Sequence, residues 1–114
     1  MGDPLRRAID TVPNHAMKGG VERYLYHGIS GGGFLTAVLE NDFKGVVGKA
    51  DYVNIGLLKE WASWVYNDCP SRAQGSPRAV DDWVASGGYL GIVSASKPES
   101  ATAGLILPGS SQVP

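Results

Sequence analysis

Residues 24–35 read YLYHGISGGGFL, and this stretch decides how the rest of the chain is interpreted. A helical run ends at Gly28, because only glycine enters the left-handed region cheaply, and a second helix opens near Phe34. Between them, the Ser30–Gly33 turn brings bare backbone N–H groups to a helix N-terminus, where anions are favoured. The stretch therefore predicts either an anion-binding turn or a tight connection between helices whose glycines supply positive φ.

Apolar residues recur at helical spacing through most of the chain, which predicts α-helices. Trp61 and Trp64 fall on one such stripe. Asp51 and Ser76 are of the types that cap helix N-termini, and Pro77 suits the first helical position. The predicted helices cover residues 21–28, 33–50, 51–69 and 76–86.

The predicted fold is all-α, a small bundle of three to four helices with an extended or disordered C-terminal tail. Residues 1–88 form the helical domain and residues 89–114 form the tail, in which Ser, Ala, Gly and Pro dominate. Residues 89–93 are expected to be a short strand or an extended segment. The apolar cluster at 105–107 is a candidate docking segment.

Composition and charge exclude several classes of protein. The chain has 114 residues, with 10 basic and 11 acidic side chains and a formal net charge of −1. Binding to nucleic-acid phosphates needs a basic surplus, so neither DNA nor RNA is expected as a partner. No apolar run approaches the ~20 residues of a membrane span, and the N-terminus has no apolar signal region. The single Cys69 fits a reducing compartment, which predicts a cytoplasmic protein.

The sequence carries no signature of catalysis or metal binding. His15 and His27 are the two histidines, and they are not spaced as a pair of metal ligands. Cys69 stands alone and is most simply a small buried apolar residue. No nucleophile–base set is visible, so binding is favoured over catalysis, and we predict no catalytic residue, no metal and no cofactor.

A ligand site is predicted around the glycine turn. Arg23 would clamp a phosphate, Tyr24 or His27 would stack on or donate to the ligand, and Asn41 would read a polar edge. Two alternatives stay open: an amphipathic helix with Tyr24 in the core and Arg23 in solvent, and a solvated face or buried polar network at Asn41 and Asp42. The candidate ligand-binding residues are Arg23, Tyr24, His27, Ser30, Gly31, Gly32, Gly33 and Asn41.

The aromatic content predicts self-association. The chain has 3 tryptophans and 5 tyrosines, residue types that are enriched at interfaces. A helical core of ~65 residues is also marginally stable alone. A homo-oligomer is therefore expected.

Motifs spread over residues 13–85 resemble a group of short helical proteins from tailed phages and prophages. Those proteins run as RY..HGI..G.FL.AVL.ND, followed by AD..N, YN..P and GSP...W. The proline that they carry in the turn after HGI is a glycine here, which predicts a more flexible turn. The matching elements are His15, Arg23-Tyr24, His27-Gly28-Ile29, Gly33-Phe34-Leu35, Ala37-Val38-Leu39, Asn41-Asp42, Ala50-Asp51, Asn54, Tyr66-Asn67, Pro70, Gly75-Ser76-Pro77 and Trp83.

The resemblance implies a phage accessory protein that acts in the host-cell cytoplasm. Such proteins commonly counter host defence, either by sequestering a nucleotide immune signal or by binding a host protein. The resulting expectation is a protein that sequesters a small phosphorylated, nucleotide-like ligand. The alternative is an inhibitor that binds a host defence protein and has no small-molecule pocket.

Overall fold

The computed structural model describes residues 5–95, and within that range the protein is all-α, which confirms the predicted fold class. Two short 3-10 turns, His15–Met17 and Ser71–Ala73, interrupt the helices. The predicted tail beyond residue 95, with its apolar cluster at 105–107, lies outside the described residues. The helices are α1 (Arg6–Asp10), α2 (Lys18–His27), α3 (Gly33–Leu39), α4 (Phe43–Lys49), α5 (Tyr52–Ile55), α6 (Leu58–Asn67), α7 (Pro77–Ala85) and α8 (Gly88–Ala95).

A single hydrophobic core joins most of these helices, and it is built from the apolar stripes that the sequence predicted. Helices α1, α2, α3, α6 and α7 all contribute buried side chains. In contrast, α4 has no buried residue at all. The largest fully buried side chains are Trp61, Tyr24, Ile9, Leu25, Leu35, Leu39 and Val21.

Buried aromatic side chains donate their polar hydrogens to backbone carbonyls on other segments. Trp64 Nε1 donates to the carbonyl of Ala8 at 2.8 Å, which links α6 to α1. Trp83 Nε1 donates to the carbonyl of Tyr24 at 2.9 Å, which links α7 to α2. The Tyr24 hydroxyl in turn donates to the carbonyl of Ala73 at 2.7 Å. Each bond fixes one element against another, and a buried donor left without its partner costs about 1–3 kcal/mol.

Two of the predicted helices are each divided in the structure. The stretch 33–50 forms α3 and α4, and the stretch 51–67 forms α5 and α6. At the new start of α4, Asp42 Oδ1 accepts from the Gly45 N–H at 3.0 Å, whereas α6 begins at Leu58 without a side-chain cap. The predicted cap at Asp51 is confirmed, because its Oδ1 accepts from the Asn54 N–H at 2.7 Å. The predicted cap at Ser76 is confirmed, because its hydroxyl accepts from the N–H of Ala79 at 3.1 Å.

The expectation of an extended segment from residue 89 onward is wrong up to Ala95, because residues 88–95 form α8. This helix packs on α2 where two glycine backbones meet: a Cβ atom built on Gly88 would lie 2.5 Å from the nitrogen of Gly28. Tyr89 and Ile92 then pack against the core. A tertiary contact, which the local pattern does not reveal, therefore supports this helix.

We expect Gly88→Ala to lower the free energy of unfolding by about 2 kcal/mol or more, because the added methyl would meet the backbone of α2 and because φ is +69° at this position. The measurement is urea unfolding followed by circular dichroism. Gly48→Ala is the matched control. A Cβ atom there meets nothing within 4 Å, so we expect a gain of about 0.5–1 kcal/mol. Equal stabilities of the two variants would contradict the glycine contact.

Asn54 is a polar side chain buried at the junction of three segments. Its Oδ1 accepts from Asn14 Nδ2 and from Trp61 Nε1, each at 3.0 Å. Its Nδ2 lies 3.5 Å from the sulfur of Met17. The amide therefore ties the loop and turn before α2 to α5 and α6, and its bonds satisfy it inside the core.

Asn54→Ala should lower the free energy of unfolding by about 1–3 kcal/mol, because it removes the acceptor of the buried Trp61 Nε1 and of the half-buried Asn14 Nδ2. Thermal unfolding followed by tryptophan fluorescence measures the change. Asn67→Ala serves as the control, since Asn67 is exposed and bonds only to the hydroxyl of Ser63 among the described hydrogen bonds. That variant should stay within about 0.5 kcal/mol of the parent. Similar losses of unfolding free energy in both variants would show that the hydrogen bonds of Asn54 do not stabilise the fold.

Candidate functional site

A cleft of about 560 Å³ opens between the α3–α4 pair and α6. Small-molecule sites typically measure about 300–1,000 Å³, so the cleft has the size of a ligand site. Its walls are mostly apolar and aromatic, with a few polar groups among them. The lining residues are Val38, Asn41, Asp42, Phe43, Val46, Leu58, Trp61, Ala62, Val65, Tyr66 and Gln74.

The turn between α3 and α4 places the polar groups of the cleft. Asn41 adopts the left-handed conformation, with φ of 62°, which asparagine tolerates better than most residues. The N–H of Asp42 then donates to the carbonyl of Ala37 at 2.9 Å, and the Asp42 side chain caps α4. The sequence placed Asn41 and Asp42 in the middle of one helix, and the structure corrects this: they form the break between two helices.

Gln74 also lines the cleft, and it comes from the segment that follows the second 3-10 turn. The N–H of Gly75 donates to the carbonyl of Leu39 at 2.8 Å, which holds the segment after the second 3-10 turn against the end of α3. The amide side chains of Asn41 and Gln74 therefore belong to one cleft although they lie far apart along the chain. An amide offers both a donor and an acceptor, so the pair can recognise a polar edge of either kind.

The cleft has a rigid aromatic floor and an open aromatic rim. Trp61 is buried, with its ring edge-on to Phe34 at 5.5 Å and to Trp64 at 5.6 Å. Its Nε1 is held by Asn54. Phe43 and Tyr66, in contrast, are among the large hydrophobic side chains most exposed to solvent. The floor is thus fixed before any ligand arrives, while the two rim rings are free to cover one.

Few charged side chains line the cleft. Among the described residues that line it, Asp42 carries a carboxylate and none is a lysine, arginine or histidine. The Asp42 carboxylate also accepts the N–H of Gly45, which keeps it at the start of α4. A cleft of this kind suits a flat, hydrogen-bonding group better than a phosphate, which proteins usually meet with cations or several N–H groups.

Arg23 and His27 lie on the surface of α2. The Arg23 guanidinium extends over Gly19 and Gly20, since Cβ atoms built on those glycines would lie 3.4 and 3.9 Å from its terminal nitrogens. This direction is toward the helix N-terminus, as is usual for helical side chains, and therefore away from the Ser30–Gly33 turn. His27 is the last residue of α2, next to that turn.

Tyr24 belongs to the core, which corrects its assignment as a stacking residue. Its side chain is fully buried, its hydroxyl bonds to Ala73, and its ring lies 6.4 Å from that of Trp83. Burial raises the pKa of Tyr24, with smaller contributions from nearby acidic groups. The alternative interpretation from the sequence, Tyr24 in the core and Arg23 in solvent, describes the structure.

The Ser30–Gly33 turn connects α2 to α3 in a different way from that expected. Gly28, which ends α2, has a positive φ, but Gly31, Gly32 and Gly33 do not. The side chain of Lys49 packs over Gly33, because a Cβ atom built on that glycine would lie 3.1 Å from Cδ of Lys49. The turn precedes α3 and Asn41 follows it, so the two lie at opposite ends of a seven-residue helix, roughly 10 Å long.

Of the eight candidate residues, Asn41 lines the cleft and the other seven do not. The sequence interpretation missed Phe43, Tyr66 and Gln74. Phe43 and Tyr66 lie within the predicted helices 33–50 and 51–69, and neither was proposed as a ligand-binding residue. The polar pair Asn41-Asp42 inside an otherwise apolar stripe was the available signal, because such a pair is unfavourable within a helix and marks a break.

A second recess, of about 240 Å³, lies between the second 3-10 turn, α7 and α8. Arg72, Asp82 and Trp83 are among its lining residues. Its volume is below the usual range of ligand sites, so the larger cleft is the better candidate.

Comparisons with known proteins give no information about the cleft, so its geometry is the basis for interpreting it. No protein-family model, curated protein or solved structure matches the chain. In residues 5–95, no group of three or more His, Cys, Asp and Glu side chains could hold a metal ion. None of the helices in that range has the length and apolar character that crossing a membrane requires.

Cys69 is buried, and desolvation raises the pKa of its thiol to about 12. At pH 8, only about one thiol in 10⁴ would then be ionised, so we expect iodoacetamide to modify Cys69 at least 100-fold more slowly, by an order-of-magnitude estimate, in the folded protein than in guanidinium. Mass spectrometry of quenched samples measures both rates. Comparable rates in the two states would place the thiol at the surface and reopen its candidacy as a nucleophile.

Proposed function

We propose that this protein binds a small nucleotide-like ligand in the cleft between α4 and α6 and thereby sequesters it. The observation that carries the proposal is the combination of the Asn41 amide with an aromatic-rimmed cleft of about 560 Å³. Nucleobases are flat and present donors and acceptors along one edge, so they are recognised by stacking on rings and by amide hydrogen bonds. Apolar walls with a few polar groups are typical of such sites.

The bound base would lie over the floor formed by Trp61, with Phe43 and Tyr66 covering its faces. Stacking of this kind contributes about 1–3 kcal/mol per base. The amides of Asn41 and Gln74 would read the edge of the base, because each supplies a donor and an acceptor. The left-handed backbone at Asn41 fixes where its side chain begins, which limits the orientations that it can adopt.

The phosphates of such a ligand would remain at the mouth of the cleft. Its described lining holds the Asp42 carboxylate and no basic residue, so a phosphate placed inside would be repelled by Asp42 and would have no cation there to offset that repulsion. Lys44 follows Phe43 in sequence, and Lys59 follows Leu58, so these are the basic side chains next to the lining residues along the chain. The base rather than the phosphate would therefore supply most of the affinity.

The biological setting of the proposal comes from the resemblance to short phage proteins. In that setting the ligand is an immune signal made by the infected cell, and the protein acts in the host cytoplasm as an anti-defence protein. It binds without chemical conversion, has no DNA or RNA partner and functions as a homo-oligomer. The apolar cleft supports the binding part of this proposal, and the phage role rests on the resemblance alone.

Calorimetry against a panel of nucleosides and linear and cyclic nucleotides tests the proposal. We expect one base class to bind, with nucleoside and nucleotide affinities within about 10-fold of each other. Asn41→Gly keeps the left-handed backbone but removes the amide, and Tyr66→Ala removes one rim ring. Each should weaken binding by about 10-fold or more.

Tyr52→Ala and Arg23→Ala are the controls, because both residues are exposed and neither lines the cleft. Both variants should bind as the parent does. Ligand recovered unchanged from heat-denatured protein supports sequestration, whereas a new product indicates an enzyme. Absence of heat across the whole panel contradicts the proposal.

The second candidate is an inhibitor that binds a host protein without a small-molecule pocket. It is favoured by the exposed large apolar side chains of α4 and α5, since such a patch marks a protein-binding surface. A host protein retained on the immobilised chain, together with a panel that gives no heat, would favour this candidate over sequestration.

A further inference from the structure

The Asp42 carboxylate is the charged group in the described lining of the cleft, and it keeps acceptor positions for a ligand. Its Oδ1 accepts from the N–H of Gly45 at 3.0 Å, which holds the side chain at the start of α4. None of the ion pairs within residues 5–95 includes Asp42, so no lysine or arginine neutralises it there. Each oxygen of a carboxylate has two lone pairs, so one bond to the backbone leaves further positions.

The absence of a side chain at Gly45 gives the carboxylate its position. A Cβ atom built on Gly45 would collide with Oδ2 of Asp42 and would lie 2.8 Å from its Cγ. The carboxylate therefore lies against the first turn of α4, and the backbone of that turn fixes it before a ligand arrives. A group that is fixed in this way can select between ligands, because it does not turn to suit each of them.

Two amide side chains, those of Asn41 and Gln74, line the same cleft. In the described part of the chain neither amide has a hydrogen-bond partner within the protein, so both are available to a ligand. An amide donates as well as accepts, whereas an ionised carboxylate only accepts. The matching ligand therefore presents N–H donors to Asp42 and an acceptor to an amide nitrogen.

We infer that the base bound in the cleft is guanine; this inference rests on the proposed function and names the class of its ligand. Guanine presents its N1–H and its 2-amino group as adjacent donors, with the acceptors O6 and N7 beside them. Both donors can bind the Asp42 carboxylate in charge-assisted hydrogen bonds, and an amide of Asn41 or Gln74 can donate to O6 or N7.

The other bases fit the carboxylate less well. The amino group of adenine lies between two ring-nitrogen acceptors, and that of cytosine lies beside one. The N3–H of uracil lies between two carbonyl oxygens. Each of these bases offers Asp42 a single donor group and brings at least one lone pair close to its negative charge. Asp42 therefore selects guanine by repelling its competitors as well as by binding it.

Calorimetry of the full chain with guanosine, inosine, adenosine, cytidine and uridine tests the inference. We expect guanosine to bind most tightly, and inosine, which keeps N1–H but has no 2-amino group, to bind about 10-fold more weakly or less. A nucleoside that binds more tightly than guanosine, or inosine that binds equally well, overturns the inference and leaves the proposed function standing. Absence of heat with every nucleoside overturns both.

Asp42→Asn separates recognition of the base from support of the helix. Asparagine caps helices about as well as aspartate, so the start of α4 is kept, but one acceptor oxygen becomes an amino group. Guanosine should bind about 10-fold more weakly or less, and the ratio of xanthosine to guanosine affinity should rise about 10-fold or more, because xanthosine has a carbonyl in place of the 2-amino group. A purely structural role of Asp42 would weaken both nucleosides alike, which would overturn the inference.

Asp51→Asn is the matched control. Asp51 also caps a helix, since its Oδ1 accepts from the N–H of Asn54 at 2.7 Å, but it does not line the cleft. This variant should bind guanosine, inosine and xanthosine as the parent does. A change of base preference equal to that of Asp42→Asn would overturn the inference. The comparison of guanosine with inosine uses the unmodified protein, so the test stays decisive even if a variant unfolds.

Discussion

The fold depends on a requirement of its buried rings: each polar hydrogen that enters the core must find an acceptor there. Trp64, Trp83 and Tyr24 meet this requirement with carbonyls on other segments, so the same three bonds that satisfy the rings also hold the segments together. The helices themselves are short, with seven residues in α3 and in α4. Helices of that length are unstable alone, so the tertiary anchors maintain them.

Local chemistry was enough to predict the helical class and several boundaries. Apolar spacing revealed the stripes, and the side chains of Asp51 and Ser76 begin helices as their residue types suggest. The same spacing joined α3 and α4 into one helix, because the stripe continues across the turn at Asn41 and Asp42. A stripe reports which side chains face inward, and it does not report whether the backbone between them bends. α8 was missed for a related reason: its support comes from α2, far away in the sequence.

The cleft could be predicted only in part. Its two walls come from α4 and α6, and nothing in the spacing of either helix says that Phe43 and Tyr66 line the same cleft. The glycine turn drew attention because glycines near a helix start are typical of anion sites, whereas Lys49 packs against its last glycine. Tyr24 had the right chemistry for stacking, but its position in an apolar stripe already favoured the core. Asn41 was found because a polar residue inside such a stripe requires a reason.

The meeting of Gly28 with Gly88 has a consequence for how the chain is made. The two positions are 60 residues apart, counting from 28 to 88, so the contact forms only after a long loop has closed. At about 5–20 residues per second, synthesis from Gly28 to Ala95 occupies roughly 3–13 seconds. For that time the face of α2 beneath α8 is uncovered on the ribosome. The emerging chain therefore exposes, for that interval, the surface of α2 that α8 covers in the folded protein, and exposed apolar surface of this kind is what makes incomplete chains prone to aggregate.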